Sequence, residues 1–266
     1  MKLLAIATGT SFQELGHKLS RLDQDIRTIG VHRVFPYIKE VHDIDLDYWT
    51  WADPNAVTDG LDYIEKNPNV KVPHIIIPTW LKTLDRFNKE AGTSPINREP
   101  AKVKQYEEGV SKLYREGKLT FIEKSINSRV LTEQGEVETI TNPEKRFDGN
   151  QIVFGTVPYD GRIAESQWGR ENKFTFNIMP TATFMEAKEV YCLGFDNRGG
   201  RISSPPGHDQ MNHNNESIIR DYLNKFKPWS NEWKSYHGID IYSVAPDKFT
   251  PNNTVLKYKQ IEDLLV

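Results

Sequence analysis

The feature that most constrains the fold is a short apolar run, Leu3 to Ala7, that ends in the glycine turn Thr8-Gly9-Thr10. A continuous apolar run closed by a turn predicts a β-strand buried on both faces, as in a parallel sheet. Ser11 predicts the N-cap of a helix that runs to about Leu22, and Ile26 to Val31 predicts a second strand. Strand, glycine turn, helix and strand form a βαβ unit, which favours an α/β fold.

The alternation of strands and helices continues along the chain, which predicts a Rossmann-like parallel sheet flanked by helices. The further predicted strands are His42 to Trp49, Val72 to Ile77, Gln151 to Phe154, Val190 to Phe195 and Ile239 to Val244. The further predicted helices are Asp53 to Ile64, Pro78 to Phe87, Ala101 to Arg115, Thr181 to Ala187, Glu216 to Phe226 and Tyr258 to Asp263.

The chain changes character after Lys89, where it becomes more polar and less regular. Residues 1–89 and 151–266 are predicted to form the nucleotide-binding core, and residues 90–150 an inserted lid. The lid contains a predicted hairpin with strands at 129–132 and 137–141. A core domain with a small lid suits a length of 266 residues.

Charge and cysteine content narrow the classes of protein that fit. The net charge is −3 with no basic block, so non-specific nucleic-acid binding is not indicated. The one cysteine, Cys192, lies in an apolar run and predicts buried packing in a reducing compartment. The opening apolar run is too short for a signal peptide and no run is long enough to span a bilayer, so a cytoplasmic protein is expected.

The first candidate binding feature is the turn itself, Gly9, Thr10 and Ser11. A glycine turn at a helix N-terminus lets a phosphate approach backbone N–H groups and the positive end of the helix dipole. The alternative is a tight turn with an N-cap and no ligand. The dinucleotide and P-loop glycine patterns are both absent from the sequence.

Two aspartate motifs admit functional and structural interpretations. Asp53, before Pro54, either accepts hydrogen bonds from a ribose or base, or simply starts a helix. Asp43, Asp45 and Asp47 alternate, as in a D-x-D motif that holds Mg²⁺ or Mn²⁺ against a diphosphate. Alternating carboxylates also form the solvated face of an edge strand, and we favour this interpretation, with no metal site assigned.

A long loop after the predicted strand at 190–195 collects further reactive side chains. It carries Asp196, Arg198, Arg201, His208 and His213 within about twenty residues. Long loops within compact domains are often functional. An Arg pair binds phosphate or carboxylate, and a neutral His takes a proton from a hydroxyl. Metal ligation by His208, Asp209 and His213, and a merely solvated loop, are the alternatives.

These stretches together resemble bacterial sialyltransferase-like glycosyltransferases and related pterin-diphosphokinase-like proteins of the domain of unknown function 115. The family has a Gly-x-Ser-Leu turn after its first strand, where this chain reads Gly9-Thr10-Ser11-Phe12. A polar residue, here His32, follows the second strand, and Asp53-Pro54 matches the end of the third. A later strand ends in Leu193-Gly194-Phe195-Asp196, before a loop that bears a catalytic His in the family.

The resemblance implies a variant glycosyltransferase-A fold of the sialyltransferase type and transfer of a sugar from a nucleotide-sugar to an acceptor hydroxyl. It implies that Gly9, Thr10, Ser11, His32 and Asp53 bind the nucleotide. Three further roles follow for the loop, namely a general base at His208 or His213, a catalytic Asp196, and phosphate or acceptor binding by Arg198 and Arg201. No cofactor is required for this chemistry, although Mg²⁺ or Mn²⁺ is compatible with it.

Two other functions and the acceptor stay open at this point. One alternative is a pterin-type diphosphokinase that uses ATP and Mg²⁺, with Asp43, Asp45 and Asp196 as metal ligands; the other is a non-catalytic nucleotide-binding domain. The acceptor is a glycan or, in a bacteriophage setting within the host cytoplasm, a hydroxymethylated DNA base flipped into a pocket. Cations of the predicted lid either meet DNA phosphates or form a solvated helix face, namely Lys102, Lys104, Arg115, Lys118 and Lys124.

Overall fold

The structure is a computed structural model that describes residues 1–51, 55–78, 100–125, 130–131, 137–138, 152–156, 178–195, 234, 238–245 and 256–266. Its contacts divide the chain into two compact units. Unit 1 comprises residues 1–47 and 187–266, and unit 2 comprises residues 48–186. Each unit contains a sheet whose registered strand pairs are parallel, flanked by helices, which confirms the predicted α/β fold.

Unit 1 has its first strand in the interior of its sheet. Its strands are β1 (Lys2–Ile6), β2 (Ile26–Val31), β9 (Glu189–Leu193), β10 (Asp240–Ser243) and β11 (Lys257–Tyr258), in the order β11-β10-β9-β1-β2. Strand β1 pairs with β2 from Lys2 opposite Ile26, and with β9 from Lys2 opposite Glu189. Leu3 to Ile6 are buried, as expected for a strand covered on both faces.

The helices of unit 1 begin with α1 (Thr10–Leu15), a 3₁₀ helix (Gly16–Arg21) and α2 (Val34–His42), and a second 3₁₀ helix (Ile261–Leu264) follows β11. The predicted helix from Ser11 to Leu22 is therefore divided into an α-helical and a 3₁₀ part. The predicted helix from Tyr258 to Asp263 is wrong in its first half, because Lys257–Tyr258 form a strand. Cys192 lies on β9 between Ala5 and Ser243 and is 2% exposed, so its predicted packing role is confirmed.

Unit 2 contains strands β3 (Tyr48–Thr50), β4 (His74–Pro78), β5 (Leu119–Ser125) and β8 (Ile152–Thr156) in the order β3-β4-β5-β8. Its helices are α3 (Asn55–Lys66), α4 (Pro100–Arg115) and α5 (Met179–Phe184). Its core includes the buried Trp49, Trp51 and Tyr106. Trp51 Nε1 donates a 3.2 Å hydrogen bond to Tyr106 Oη, which satisfies the polar atoms of two buried rings.

The predicted hairpin is confirmed, with β6 (Val130–Leu131) antiparallel to β7 (Val137–Glu138). Within the segment interpreted as a lid, however, β5 pairs with both β4 and β8, so this strand belongs to the sheet of unit 2. Its apolar residues Leu119 and Phe121 are buried, which explains its place in the sheet. The limits of an inserted lid at 90–150 stay a prediction. None of the helices described here has the length and apolar character that crossing a bilayer requires.

Candidate functional site

The glycine turn after β1 is built differently from its prediction. Helix α1 begins at Thr10 with Gly9 as its N-cap, and no side chain caps it. The prediction that Ser11 caps this helix is wrong. Ser11 is completely buried, and its Oγ accepts a 2.9 Å hydrogen bond from the backbone N–H of Gly194. A contact between residues 183 positions apart in the chain therefore replaces the local cap.

Backbone hydrogen bonds join this turn to the turn that follows β9. Ala7 N–H donates to the Leu193 carbonyl at 2.8 Å, and Gly9 N–H donates to the Gly194 carbonyl at 2.9 Å. Gly9 is buried, so its N–H is committed to the protein and is not a donor for a ligand. Thr8 and Thr10 are partly exposed, and they form the solvent side of the turn.

His32 lies at the same edge of the sheet of unit 1, directly after β2. Ile6 at the end of β1 is paired with Gly30, so the chain after each strand emerges at the carboxyl edge. His32 is 4% exposed and has a left-handed backbone with φ 54°. Non-glycine residues in that conformation carry a steric cost and are concentrated at turns and functional sites.

The structure thus brings Gly9, Thr10, Ser11 and His32 to one edge, as the parallel sheet predicts. The remaining predicted site residues lie outside the described part of the chain, and their roles stay predictions: Asp53, Asp196, Arg198, Arg201, His208 and His213. Gly194 stands two positions before Asp196 in the sequence, so the described turn directly precedes the segment that is predicted to be a loop.

The aspartates at 43, 45 and 47 lie in a loop, so the prediction of a strand from His42 to Trp49 is wrong for its first six residues. Helix α2 occupies the chain up to His42, and Asp43 ends it with a left-handed φ of 49°. Lys39 Nζ pairs with Asp43 at 2.7 Å and with Asp45 at 2.8 Å. The hydrogen bonds to Asp43 and Asp45 hold the pKa of Lys39 above its usual value.

Asp47 is held by the first residues of β2. Its Oδ2 accepts hydrogen bonds from the Thr28 amide at 2.8 Å and the Thr28 hydroxyl at 2.9 Å, and its Oδ1 pairs with Arg27 at 3.1 Å. These partners place the aspartate loop at the amino edge of the sheet in unit 1, away from Gly9. Across the described ranges, no group of three or more His, Cys, Asp or Glu side chains is arranged to hold a metal ion.

A cluster of three rings supports α1 from the side of α2, and the sequence did not indicate it. Phe12, Tyr37 and His42 meet edge to face, with centroid distances of 5.7 Å for Phe12–Tyr37 and 6.2 Å for Phe12–His42. Burial, with a smaller contribution from the charge of His17, lowers the pKa of His42. The available signal was the helical spacing of Val34, Phe35 and Ile38, all buried, which defines α2.

The cations proposed to meet DNA have acidic or backbone partners where the structure describes them. Lys104 lies 3.6 Å from Glu108 and Lys118 lies 3.0 Å from Glu116. Arg115 Nε donates to the carbonyl of Ser111, one helical turn earlier. These partners favour the solvated-face interpretation of α4 and the chain that follows it.

Among known proteins, the chain is similar to solved structures of sialyltransferases. No protein-family model matches the sequence, and no curated protein does. The chain is similar to the monofunctional α-2,3-sialyltransferase Cst-I from Campylobacter jejuni, at 12% identity and TM-score 0.43, over 100% of this chain and 88% of that one.

Similarity also extends to a point mutant of the α-2,3/8-sialyltransferase CstII, at 12% identity and TM-score 0.47, over 97% of this chain and 86% of that one. CstII from Campylobacter jejuni in complex with the substrate analogue cytidine-5′-monophosphate matches at 10% identity and TM-score 0.38, over 97% of this chain and 87% of that one. At these identities the similarity concerns the fold alone.

Proposed function

We propose that this protein is a glycosyltransferase that moves a sugar from a nucleotide-sugar donor to an acceptor hydroxyl. The observation that carries the proposal is the contact between two stretches that share motifs with sialyltransferase-like enzymes. Gly9-Thr10-Ser11-Phe12 and Leu193-Gly194-Phe195 are remote in sequence, yet two hydrogen bonds join them at the carboxyl edge of one sheet, from the Gly9 amide to Gly194 and from the Gly194 amide to Ser11. Rossmann-type sheets bind their ligands at this edge.

The proposed donor site lies on the solvent side of the turn after β1. Helix α1 has only six residues, so its dipole alone offers little to a phosphate, and Gly9 N–H is already bonded. We therefore assign nucleotide contacts to Thr10 and the neighbouring Thr8, with His32 at the same edge of the sheet of unit 1, and Asp53 stays a contact predicted from the sequence. Gly9 serves this site as the turn that keeps α1 against β9.

The reaction needs one proton acceptor and one group that stabilises negative charge. The acceptor oxygen attacks the anomeric carbon of the sugar while the bond from that carbon to the phosphate oxygen breaks, and the nucleotide leaves with the electron pair. The hydroxyl proton passes to His208 or His213, since neutral imidazole is a base near pH 7. Arg198 and Arg201 would stabilise the departing phosphate, and Asp196 would orient the base or the acceptor.

The acceptor hydroxyl belongs, in this proposal, to a glycan or to a hydroxymethylated base in DNA. The pairing of Lys104 with Glu108 and of Lys118 with Glu116 leaves less positive charge for DNA phosphates than the sequence alone indicates. Both acceptor classes should be offered in the assay, because the described residues contain no feature that selects a sugar hydroxyl over a hydroxymethyl group.

The first test is a thermal-shift screen with CMP, UDP, GDP and ATP, followed by transfer or hydrolysis of the matching nucleotide-sugar with and without EDTA. Binding to the folded state raises the midpoint, and we expect one nucleotide to do so at concentrations above its Kd. Turnover that survives EDTA is expected. ATP-dependent, EDTA-sensitive diphosphate transfer would instead establish the diphosphokinase, and binding without any turnover would establish the non-catalytic domain.

The second test changes the two histidines separately, as His208→Gln and His213→Gln. Loss of a general base lowers kcat by about 10²–10⁴-fold. We expect this loss in one variant only, with the nucleotide Kd unchanged in both. Equal kcat in both variants and the wild type would exclude a histidine base from this loop.

A further inference from the structure

Ser11 belongs to the first turn of α1, yet its hydroxyl bonds to the chain after β9. It is completely buried, and its Oγ accepts from Gly194 N–H at 2.9 Å. A buried backbone N–H that loses its acceptor carries a desolvation cost, so this bond is a requirement of the turn. The side chain that provides it must be short, polar and placed at this position of α1.

Gly194 shows how closely the two turns approach. Its φ is +75°, and a Cβ at this position would stand 2.1 Å from the Ala7 carbonyl oxygen and 3.0 Å from Phe12 Cβ. The chain leaving β9 therefore passes between the end of β1 and the start of α1. Backbone and side-chain bonds fix it there, through the Ala7 amide, the Gly9 amide and Ser11 Oγ.

We infer that Ser11 is a positioning residue that couples the turn after β1, where the proposed donor site lies, to the turn after β9 at Gly194. The inference rests on the proposed function and deepens it. Gly194 stands two positions before Asp196 in the sequence, and the proposed function assigns Asp196 a role in the reaction. Ser11 Oγ holds the Gly194 amide and thereby keeps the end of β9 in place beside the turn after β1. This role replaces direct nucleotide contact by Ser11.

The test compares Ser11→Ala with a matched control, Ser243→Ala. Ser243 lies on β10 of the same unit, is 4% exposed, and its Oγ accepts from the Ala245 amide at 3.3 Å. Each variant removes one buried hydroxyl acceptor of a backbone N–H, and each should lower the melting midpoint by about 2–4 °C. Displacement of reacting groups lowers rates steeply, so we expect Ser11→Ala alone to lower kcat by about tenfold or more. The nucleotide Kd should change by less than about threefold in both variants, because the Thr8 and Thr10 side of the turn is retained.

Ser11→Thr keeps a hydroxyl and should restore kcat, and Ser11→Cys, a weak acceptor, should give an intermediate value. Exchange of the Gly194 amide hydrogen should accelerate in Ser11→Ala and not in Ser243→Ala. Equal kcat losses in Ser11→Ala and Ser243→Ala would overturn the inference. So would a rise in Kd that matches the fall in kcat, which would make Ser11 a nucleotide contact.

The two proposals fail in different ways. A wild-type protein that neither binds a nucleotide nor transfers a sugar rejects the proposed function. An active wild type with unchanged kcat and Gly194 exchange in Ser11→Ala rejects the positioning role alone. Where Ser11→Ala does not fold, Ser11→Cys gives the same comparison against Ser243→Ala.

Discussion

The two edges of the sheet in unit 1 are stabilised in different ways. At the carboxyl edge, buried neutral groups bond to one another, as in the contact of Ser11 with Gly194. At the amino edge, charged groups pair in or near solvent, as Lys39 does with Asp43 and Asp45. Buried, closely packed contacts tolerate little change, whereas exposed ion pairs contribute little free energy. We therefore expect substitutions at the buried contacts of the carboxyl edge to lower the free energy of unfolding more than substitutions at the exposed ion pairs of the amino edge.

The largest expected effect is that of Gly194→Ala at the carboxyl edge. The added Cβ meets the Ala7 carbonyl, and the φ of +75° is unfavourable for alanine. Left-handed strain and overpacking together should lower the free energy of unfolding by about 2–5 kcal/mol, measured by urea denaturation. Gly238→Ala is the matched control, because its φ is +65° but no atom lies within 4 Å of the added Cβ. A Gly194→Ala protein as stable as the Gly238→Ala protein would contradict the close approach of the two turns.

A smaller effect is expected from Thr28→Val, which tests the buried part of the amino edge apart from its exposed ion pairs. Thr28 is 6% exposed, and its hydroxyl donates to Asp47 Oδ2 and accepts from the Asp47 amide, both at 2.9 Å. Loss of these bonds should lower the free energy of unfolding by about 1–3 kcal/mol, while Thr28→Ser should lie close to the wild type. Nucleotide affinity should be unchanged in both variants. A loss of affinity would contradict the proposal that the nucleotide binds at the carboxyl edge.

A modest pH dependence is expected from the histidines. Burial lowers the pKa of both His42 in unit 1 and His74 in unit 2, so the folded protein holds these rings neutral. Between pH 6.5 and the lowered pKa values, the unfolded chain then binds more protons than the folded one. The free energy of unfolding should be highest above that pH and fall as the pH drops through the lowered pKa values. Urea denaturation midpoints between pH 8 and 5 measure this dependence. In His42→Phe the midpoint should depend less on pH, because the histidine of unit 1 is gone. An unchanged pH dependence would show that His42 is not buried against Phe12 as described.

The smallest effect is expected from Lys39→Met at the exposed part of the amino edge. Its partner Asp43 has a side chain that is 87% exposed, and such pairs contribute about 0–1 kcal/mol. The difference in unfolding free energy between the wild type and Lys39→Met should become smaller in high salt, because salt screens the ion pairs of the wild type. A loss of unfolding free energy larger than that of Thr28→Val would contradict the distinction between the exposed and the buried part of the amino edge. It would show that the exposed ion pairs of Lys39 are needed to order unit 1.

The sequence predicted the local elements of unit 1 but not the contacts between distant residues. Strand β1, the glycine turn and strand β2 are local, and their apolar runs predicted them. The bond from Ser11 to Gly194 joins residues 183 positions apart, and no local pattern distinguishes it from an N-cap. The sequence therefore predicted that Gly9, Thr10, Ser11 and His32 share one edge of the sheet, but it could not show that Ser11 bonds to Gly194.

Helix α2 was missed because the alternating aspartates beyond it suggested a strand. The buried Val34, Phe35 and Ile38 have helical spacing, and Lys39 stands four residues before Asp43, which is the spacing of a helical ion pair. Periodicity over 34–42 would have found this helix. The left-handed backbone of Asp43, which ends it, depends on contacts that alternation cannot show.

Cys192 gives unit 1 a chemical reporter of its own opening. It is the single cysteine of the sequence, it lies between Ala5 and Ser243 in the sheet, and burial raises the pKa of its thiol. Because the thiol is buried and its pKa is raised, a thiol reagent reacts appreciably only when the packing around Cys192 opens to solvent. Labelling rates in the presence and absence of nucleotide would therefore measure, without any introduced probe, how far a bound ligand suppresses that opening.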